Sequence, residues 1–405
     1  MKYTYDGTNP NYRWISVGLW LICTIFTFMM VTTIGILLPS ISLDLNLSPS
    51  QQGILVASAF WCTPFLAIPM SSWTSKFHPK PLTIWTLIAG SICLIIQGSS
   101  RSFFALLSSR LVFGVTLIAR EPARPLLIRQ WFPQKEIVLA NSMGSLLFGG
   151  IVGGGLALVP VILQATGNEW RPVYFIFFFT TLVLTISWVI FGKEKGSIDP
   201  EPEHSTSIPG IISGALSYRD LWIGGLGFTG STITRSAFGS FLPTLMLNTK
   251  MISLQWTGTA LGLSTVLGGL AGLMAGYVVM KTGGAKKFFL SFGILLSVTY
   301  FGMANTESEL VLLSLATING IAWGFWPLLQ TVPFQLPNIS PRELAVASAF
   351  NQMAIAIGIA IGPLAVGFLH QATGDLQLSL SILSFSPSAL ILVGIFLKAG
   401  RDNRK

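Results

Sequence analysis

Charged side chains are scarce in this sequence of 405 residues. They make up 10% of the chain, whereas hydrophobic residues make up 51% and the mean hydropathy is +0.68. A soluble domain carries about 25% charged residues, because it must cover its surface with groups that water hydrates. The shortage of charge therefore excludes an ordinary soluble protein and predicts a chain that lies mostly in lipid.

Residues that bind metals, form disulfides or perform catalysis are also scarce. The chain has three cysteines and three histidines, and neither set is clustered at ligand spacing. The cysteines fall in apolar segments, which predicts buried free thiols rather than disulfides; they are Cys23, Cys62 and Cys93. The chain also lacks a phosphate-binding loop and a nucleophile elbow. We therefore expect no metal, no cofactor and no enzymatic activity.

Long apolar runs dominate the rest of the sequence. A bilayer core about 30 Å thick is crossed by about 20 apolar helical residues. Twelve runs of about this length follow one another, which predicts an all-α membrane protein with 12 transmembrane helices. The predicted spans are 15–38, 50–72, 82–98, 104–131, 138–163, 172–192, 219–246, 255–281, 287–303, 309–335, 343–370 and 377–398.

Positive charge is distributed unevenly over the loops between the predicted spans. One side carries 17 Lys and Arg residues, and the other carries three, namely Arg101, Arg171 and Lys250. Because cytoplasmic loops are enriched in Lys and Arg, both termini are predicted to lie in the cytoplasm, with the spans in the cell (inner) membrane. The same rule explains the net charge of +9 without a nucleic-acid partner.

A polar segment divides the predicted spans into two sets of six. Residues 193–218 are rich in charge, proline and glycine, which favours a cytoplasmic linker between domains 1–192 and 219–405. The two halves are also similar in sequence. Gln134–Gly167 aligns without a gap on Pro341–Gly374, and both segments end in QATG. Both copies run in the same direction, which is typical of a parallel repeat.

Three short motifs give the chain a resemblance to a known family. Ser71–Pro81, SSWTSKFHPKP, follows the second span, and Gly276–Lys287, GYVVMKTGGAKK, follows the eighth. Both resemble the basic loop G-x-L-a-D-R-x-G-R-K of the major facilitator superfamily, although a serine and a methionine replace its acidic residue. In the fourth span, Arg110 followed by WFP at 131–133 is similar to a pattern of the superfamily's organic-anion branch.

This resemblance covers essentially the whole chain and implies the fold and mode of action of that superfamily. It implies two six-helix bundles related by a parallel repeat, with spans 1, 4, 7 and 10 around a central cavity. It also implies alternating access by rocking of the two bundles. Coupling or gating roles follow for the basic residues of the two loops and for the arginine of the fourth span. These residues are Lys76, Lys80, Lys281 and Arg110.

Five ionisable residues fall well inside the predicted spans, and they are Arg110, Arg120, Glu121, Arg124 and Arg235. A charge at the bilayer centre costs at least about 2.5–3.5 kcal/mol, so such residues usually face a wet cavity or a partner. Four of the five are positive. An anion held between Arg120 and Arg235, with Arg124 nearby, would supply the missing negative charge. This anion clamp is the central prediction.

Two of these residues have alternative interpretations. Arg110 either takes part in gating or donates to backbone carbonyls and holds neighbouring helices together. Glu121 either couples transport to a proton or pairs with Arg124, three residues further along the chain. Exchange of one anion for another, or coupling through the substrate's own proton, are the alternatives to coupling through Glu121.

Polar and aromatic residues at similar depth would complete the binding site. Packing within the membrane is the alternative role for each of them. The tenth span combines Trp326 with Pro327 and Gln330, which predicts a broken helix that presents backbone carbonyls and a stacking face. The further substrate-binding candidates are Thr27, Trp61, Trp326, Gln330, Asn351 and Gln352.

The sequence favours a secondary transporter, expected to be a monomer in the lipid bilayer, for a small anionic, carboxylate-like solute. One alternative is an exporter of amphipathic or drug-like compounds, which would use an apolar, aromatic cavity. Another is a receptor or sensor that keeps the fold without transport. A large added cytoplasmic domain would indicate the receptor, whereas the predicted linker has 26 residues.

Overall fold

The fold is described from a computed structural model of the chain. The structure describes residues 12–74, 77–133, 136–195, 208–282, 285–337 and 339–397. Within these ranges the backbone is helical almost throughout. The α-helices are α1 (Tyr12–Thr32), α2 (Ile34–Leu45), α3 (Pro49–Trp61), α4 (Thr63–Thr74), α5 (Pro79–Ser99), α6 (Phe103–Arg120), α7 (Ala123–Trp131), α8 (Ile137–Ala165), α9 (Trp170–Phe191), α10 (Ile208–Leu216), α11 (Arg219–Asn248), α12 (Leu254–Thr282), α13 (Ala285–Asn305), α14 (Glu309–Ala322), α15 (Trp326–Gln330), α16 (Pro341–Thr373), α17 (Leu376–Leu383) and α18 (Ala389–Phe396).

Ten helical stretches within the described ranges are long and apolar enough to cross a membrane. They correspond to predicted spans 1, 3 to 6 and 8 to 12. Helices α3 and α4 together occupy the place of span 2, and α11, which has 30 residues, occupies the place of span 7. The predicted all-α membrane fold, with two six-helix bundles, is therefore confirmed.

Capping side chains determine where several helices begin. Ser48 accepts a hydrogen bond from the N–H of Gln51, and the Gln51 side chain accepts one from the N–H of Ser48. Ser340 and Glu343 form the same reciprocal pair before α16. Because Glu343 accepts hydrogen bonds from both the N–H and the hydroxyl of Ser340, the pKa of this carboxyl lies below its usual range. Such capping boxes satisfy N–H groups that the first helical turn leaves free.

Spans 1, 2, 4, 10 and 12 are each built from two or more helical pieces. Span 4 breaks at Glu121 and Pro122, because a proline has no N–H with which to continue α6. In span 10, 3-10 turns at Trp323–Phe325 and Val332–Gln335 flank α15. The broken helix that the sequence predicts around Trp326 is therefore confirmed.

Two segments extend or refine the predicted boundaries. The sequence predicts that span 1 ends at residue 38, but α2 continues to Leu45 with Pro39 inside it. A single proline removes only one helical hydrogen bond, and membrane helices tolerate this loss. The predicted linker contains α10, which is helical because its apolar sequence packs onto α16. Its Gly214 closely approaches the side chain of Glu343.

Glycines allow the two bundles to touch backbone to backbone. A methyl group in place of the hydrogen on Gly35, Gly53 or Gly153 would collide with backbone atoms of the other bundle. The sequence favours a packing role for the glycines of spans 5 and 8, and the contact between Gly153 and Gly262 confirms it at this point. By contrast, a methyl group on Gly150 would meet no described atom within 4 Å outside its own helix backbone. Close approaches of this kind include Gly35–Gly239, Gly258–Leu156, Gly53–Pro363 and Gly153–Gly262.

These contacts join the two bundles at one end of the molecule. We call it the remote end, because the first and last described residues lie at the opposite end. Gly35 and Gly53 lie in the halves of spans 1 and 2 that are distant from Tyr12. At the same end, the amide of Gln255 in α12 donates to the amide oxygen of Gln164 in α8, with a donor–acceptor distance of 2.7 Å. The remote end is therefore closed by contacts between the bundles.

Candidate functional site

Arg120 is the last residue of α6, and its side chain is almost fully buried, with 1% of its surface exposed. Its Nη2 group donates to the hydroxyl of Thr27 in span 1. The same hydroxyl is within donating distance of the carbonyls of Cys23 and Thr24, at 3.1 and 2.9 Å. Thr27 can therefore accept from the guanidinium while it donates its own proton to the helix backbone. The Nε of Arg120 has no hydrogen-bond partner among the described residues.

Arg235 lies in the middle of α11 and is half-buried. Its Nη2 donates to the hydroxyl of Thr265 in span 8 over 3.4 Å. Its guanidinium lies over the ring of Trp323, 4.6 Å from the ring centroid. The indole N–H of Trp323 donates to the hydroxyl of Tyr300 over 3.1 Å, which fixes the orientation of the ring. Spans 8, 9 and 10 thus surround the arginine of span 7.

Both arginines lie on the Tyr12 side of the point where spans 1 and 7 come closest together. Arg235 precedes Gly239 by four residues, and Thr27, which binds Arg120, precedes Gly35 by eight. At about 1.5 Å per helical residue, these offsets correspond to about 6 Å and about 12 Å along the spans. The two guanidinium groups are therefore on the same side of the closed end, one in each bundle.

Neither central arginine forms a direct ion pair with an acid in the part of the chain that the structure describes, although the charge of Glu121 acts on Arg120. Arg120 and Arg235 are bound instead by hydroxyl groups and an aromatic ring. Removing a charge from water without pairing it is costly, so both groups retain a strong affinity for a negative charge. Ion pairs within these ranges include Arg13–Glu136, His78–Glu194, Arg171–Asp44 and Lys250–Glu307, and none of them involves Arg120 or Arg235.

Glu121 follows Arg120 at the break in span 4, and its side chain is exposed. Its carboxylate interacts electrostatically with Arg124 and, more weakly, with Arg120. Arg124 is half-buried and lies beside Gly144 of α8. The predicted association of Glu121 with Arg124 is therefore present as a charge interaction. It spans the break between α6 and α7 rather than one continuous helix face.

Arg110 occupies a different environment from the two central arginines. It is buried, and its Nε donates to the carbonyl of Leu55 in α3 over 3.1 Å. Tyr174 of α9 lies beside the guanidinium. One turn further along α6, Gly114 packs against the carbonyl of Ala59 in α3. These contacts favour the interpretation in which Arg110 holds spans 2, 4 and 6 of one bundle together.

The remaining predicted pocket residues fall into two groups. Trp326 belongs to the aromatic cluster around Arg235, with ring centroids 4.9 Å from Phe228 and 5.9 Å from Trp323. Trp61 lies at the break in span 2, and its buried indole N–H has no hydrogen-bond partner in the described part of the chain. The other three are on spans 10 and 11, where Gln330 and Gln352 are exposed and Asn351 is buried.

The predicted gating lysines are only partly described. Lys80 lies in the first turn of α5, where its backbone N–H donates to the carboxylate of Glu194 over 2.9 Å. The same carboxylate is 3.3 Å from Nδ1 of His78. Lys281 lies in α12, and Lys76 lies outside the described residues. Glu194, at the end of span 6, thus contacts the basic loop that lacks its own acid.

Four residues of this site could not be identified from the sequence. Thr265, Tyr300 and Trp323 surround Arg235, and Glu194 contacts the loop after span 2. They lie 30 or more residues from their partners in sequence, and threonines and aromatics are common in every span. Only the position of Trp323, three residues before Trp326, offered a signal in the sequence.

Relatives of known name cover most of the chain. The hexuronate transporter of Bacillus subtilis (strain 168) is 23% identical over 379 residues, which is 86% of this chain and 86% of the relative. The probable L-galactonate transporter of Escherichia coli (strain K12) is 22% identical over 382 residues, which is 87% of this chain and 82% of the relative.

The fold is also similar to that of a solved structure, a bacterial homolog to human lysosomal transporter Spinster in an inward-facing and unoccupied conformation. The TM-score is 0.75 at 17% identity, and the match covers 97% of this chain and 96% of the solved chain. The sequence model of the Major Facilitator Superfamily matches residues 20–363. The predicted resemblance is confirmed, and the chain belongs to the major facilitator superfamily.

Proposed function

We propose that this protein is a secondary transporter of a small carboxylate-bearing solute. The substrate's negative charge is bound between Arg120 of span 4 and Arg235 of span 7. Arg124, Trp326 and the exposed amides of spans 10 and 11 contact the rest of the molecule.

The observation that carries this proposal is the pair of guanidinium groups that form no direct ion pair with an acid among the described residues. Each bundle contributes one, and both lie on the same side of the closed end. Hydroxyl groups and an aromatic face orient a guanidinium but leave its charge uncompensated. An anion that bridges the two groups would be bound by charge-assisted hydrogen bonds from both bundles at once.

The names of the relatives support a sugar acid as the class of substrate. Hexuronate and L-galactonate are both carboxylates of six-carbon sugars with several hydroxyl groups. A substrate of this kind needs one cationic site for the carboxylate and several amide or hydroxyl partners for the polyol. Asn351 and the exposed Gln330 and Gln352 supply such partners on spans 10 and 11.

Alternating access is the mode of action that this arrangement supports. The glycine contacts and the hydrogen bond between Gln164 and Gln255 close the end remote from Tyr12. With both termini in the cytoplasm, this end faces the exterior, and the structure corresponds to an inward-facing state. Binding of one anion by both bundles would favour their approach on the cytoplasmic side, which links substrate binding to the change of state.

We further propose that the protein acts as a monomer in the cell membrane, without a cofactor and without enzymatic activity. The moving units are the domains 1–192 and 219–405, joined by the linker 193–218. Helix α10 within this linker packs onto α16, so the linker is attached to the second bundle.

Uptake into proteoliposomes tests the proposal directly. The panel contains a hexuronate, galactonate, nitrate, phosphate, a sulfonate and an anionic amphiphile. At least one sugar acid should be transported and should compete with the others. For that substrate, Arg120→Gln and Arg235→Gln should each weaken binding by about 100-fold or more, because each leaves a buried charge with one partner fewer.

Arg101→Gln is the matched control, since Arg101 is exposed and lies outside the predicted spans. It should bind and transport as the wild type does. Size-exclusion profiles and thermal unfolding establish that all three variants are folded. Preference for the amphiphile over every small anion, or full affinity in both central variants, would contradict the proposal.

A further inference from the structure

A groove on the surface of the first bundle lies outside the substrate site. It runs between α1 and α9 and has a volume of about 400 Å³. Gly18 forms part of its wall, with Trp14 and Phe191 towards one end and Ile22 and Ser187 towards the other. The Ser187 hydroxyl donates to a carbonyl of its own helix over 2.8 Å. The groove therefore offers a mostly apolar surface, in which the Ser187 hydroxyl is already bonded, and this suits a hydrocarbon chain.

The mouth of the groove is fixed by hydrogen bonds to the chain that leaves α9. The Tyr12 hydroxyl donates to the carbonyl of Phe191 over 2.6 Å. Ser16 both donates to the carbonyl of Lys193 and accepts from its N–H, each over 2.8 Å. The indole of Trp131 donates to the same carbonyl over 3.1 Å. Three hydrogen bonds thus fix the backbone at Lys193, two residues beyond the groove, and a fourth fixes it at Phe191.

This fixed backbone places a positive charge at the mouth. Lys193 is exposed, and its Nζ lies 4.6 Å from the ring centroid of Tyr12. It joins none of the ion pairs within 4 Å that the described ranges contain. Arg13 adds a second cation 5.6 Å from the Trp14 ring, although Glu136 pairs with it. Lys193 therefore carries the uncompensated charge at this site.

We propose that the groove binds an anionic phospholipid, with an acyl chain against Gly18 and the phosphate at Lys193. The apolar groove, the cation at its mouth and the aromatic residues beside it match the three parts of such a lipid. Basic residues at the cytoplasmic edge of membrane helices attract anionic headgroups, and aromatic rings favour the same depth. Helices α1 and α9 would be held together by this lipid. The proposal does not depend on the identity of the transported solute.

Native mass spectrometry of the purified full chain tests the proposal with two lipids that share dioleoyl chains, phosphatidylglycerol and phosphatidylcholine. Phosphatidylglycerol should bind the wild type about five-fold more tightly. Lys193→Gln should remove this preference, because a single cation near the headgroup corresponds to about that factor. Lys286→Gln should keep it, since Lys286 is equally exposed but lies at the start of α13 in the other bundle.

A second pair of measurements distinguishes a lipid from a free anion. Gly18→Leu fills the groove and should therefore weaken the binding of both lipids to a similar extent. If that variant elutes as an aggregate, Ser187→Phe replaces it. Soluble glycerol phosphate should bind far more weakly than phosphatidylglycerol. The proposal is overturned by equal binding of the two lipids, by equal effects of the two lysine variants, or by glycerol phosphate binding as tightly as the lipid.

Discussion

The surroundings of Arg120 and Arg235 differ, although we propose that both bind the same ligand. Arg120 is buried at the end of a helix and contacts a hydroxyl on the neighbouring span. Arg235 is half-buried within a continuous helix and lies over the face of Trp323. The guanidinium of the first bundle is thus buried and bonded to a hydroxyl group. The guanidinium of the second bundle lies against an aromatic surface.

This difference suggests different contributions from the two bundles. A buried guanidinium with an unpartnered Nε gains most from a ligand that completes its hydrogen bonds. A guanidinium stacked on a ring is already oriented, and it loses less when its ligand leaves. We therefore expect the first bundle to determine affinity for the carboxylate more strongly than the second.

Lysine substitutions give the largest expected contrast between the two sites. Arg120→Lys should weaken substrate binding by about 50-fold, because an ammonium cannot reproduce the planar set of donors. Arg235→Lys should weaken it by about five-fold, since a lysine retains charge beside Trp323. Equilibrium binding of radiolabelled substrate measures both. A larger loss for Arg235→Lys would reverse the assignment of the two bundles.

The two threonines allow the same comparison without a change of charge. Thr27→Val should cost about ten-fold in affinity, because it leaves Nη2 of the buried Arg120 without its acceptor. Thr265→Val should cost about two-fold, since its hydrogen bond to Arg235 is 3.4 Å long. Thr27→Ser keeps the hydroxyl and should bind normally. Equal losses in the two valine variants would show that burial does not distinguish the sites.

The aromatic face at Arg235 is tested by changing the ring. Trp323→Leu should lower affinity by about five-fold, because the cation loses its π partner. Trp323→Phe keeps a face and should lose about two-fold. Phe325→Leu is the matched control within the same turn, since no cation lies over that ring in the described structure. An equal effect of Phe325→Leu would indicate general loosening of span 10 rather than a specific contact.

The smallest contrast concerns the ion pairs at the closed end. Arg171 donates to Asp44 over 2.7 Å and holds the pKa of that carboxyl below its usual value. Because the pKa of Asp44 is lowered in the folded protein, its ion pair stabilises the fold at pH values above the ordinary carboxyl pKa. This stabilisation is lost as the pH falls through the lowered pKa. Asp44→Asn should therefore cost less than about 1 kcal/mol at pH 7, because the pair is exposed.

The corresponding pair of the second bundle provides the comparison. Lys250 binds Glu307 over 3.1 Å, but the Glu307 side chain is 77% exposed. Glu307→Gln should change thermal stability less than Asp44→Asn does. Unfolding temperatures in detergent at pH 7 and at pH 3 measure both variants, and the difference from wild type should shrink at the lower pH. A difference that grows as pH falls would contradict the sign of the linkage.

Much of the fold could be predicted from composition and pattern. The apolar runs locate the spans because lipid requires continuous hydrogen-bonded helices, and Pro327 predicts the break in span 10. The break at Thr33 has no local signal in the sequence, whereas Pro64 marks the break at Cys62, which the predicted span 50–72 does not include. Helix α10 was also missed, because its nine residues are too few to identify within a polar segment.

The candidate site was predicted only in part. Arg120 and Arg235 can be identified in the sequence because charge is rare within spans and each residue is costly there. Their partners cannot, because Thr27 is one of many threonines and Trp323 one of 12 tryptophans. The periodicity of the sequence indicates on which face of a helix a side chain lies. Contacts between helices also depend on the rotation and tilt of each helix, which apolar sequences do not encode locally.

In the proposed binding mode, a negatively charged substrate neutralises the guanidinium groups of Arg120 and Arg235. The most direct test of this binding mode compares the affinity for the transported carboxylate with that for its neutral primary amide, in the wild type, Arg120→Gln and Arg235→Gln. We predict a preference for the carboxylate of about 100-fold or more in the wild type, reduced to less than about ten-fold in either variant. A preference that persists undiminished in both variants would contradict the account.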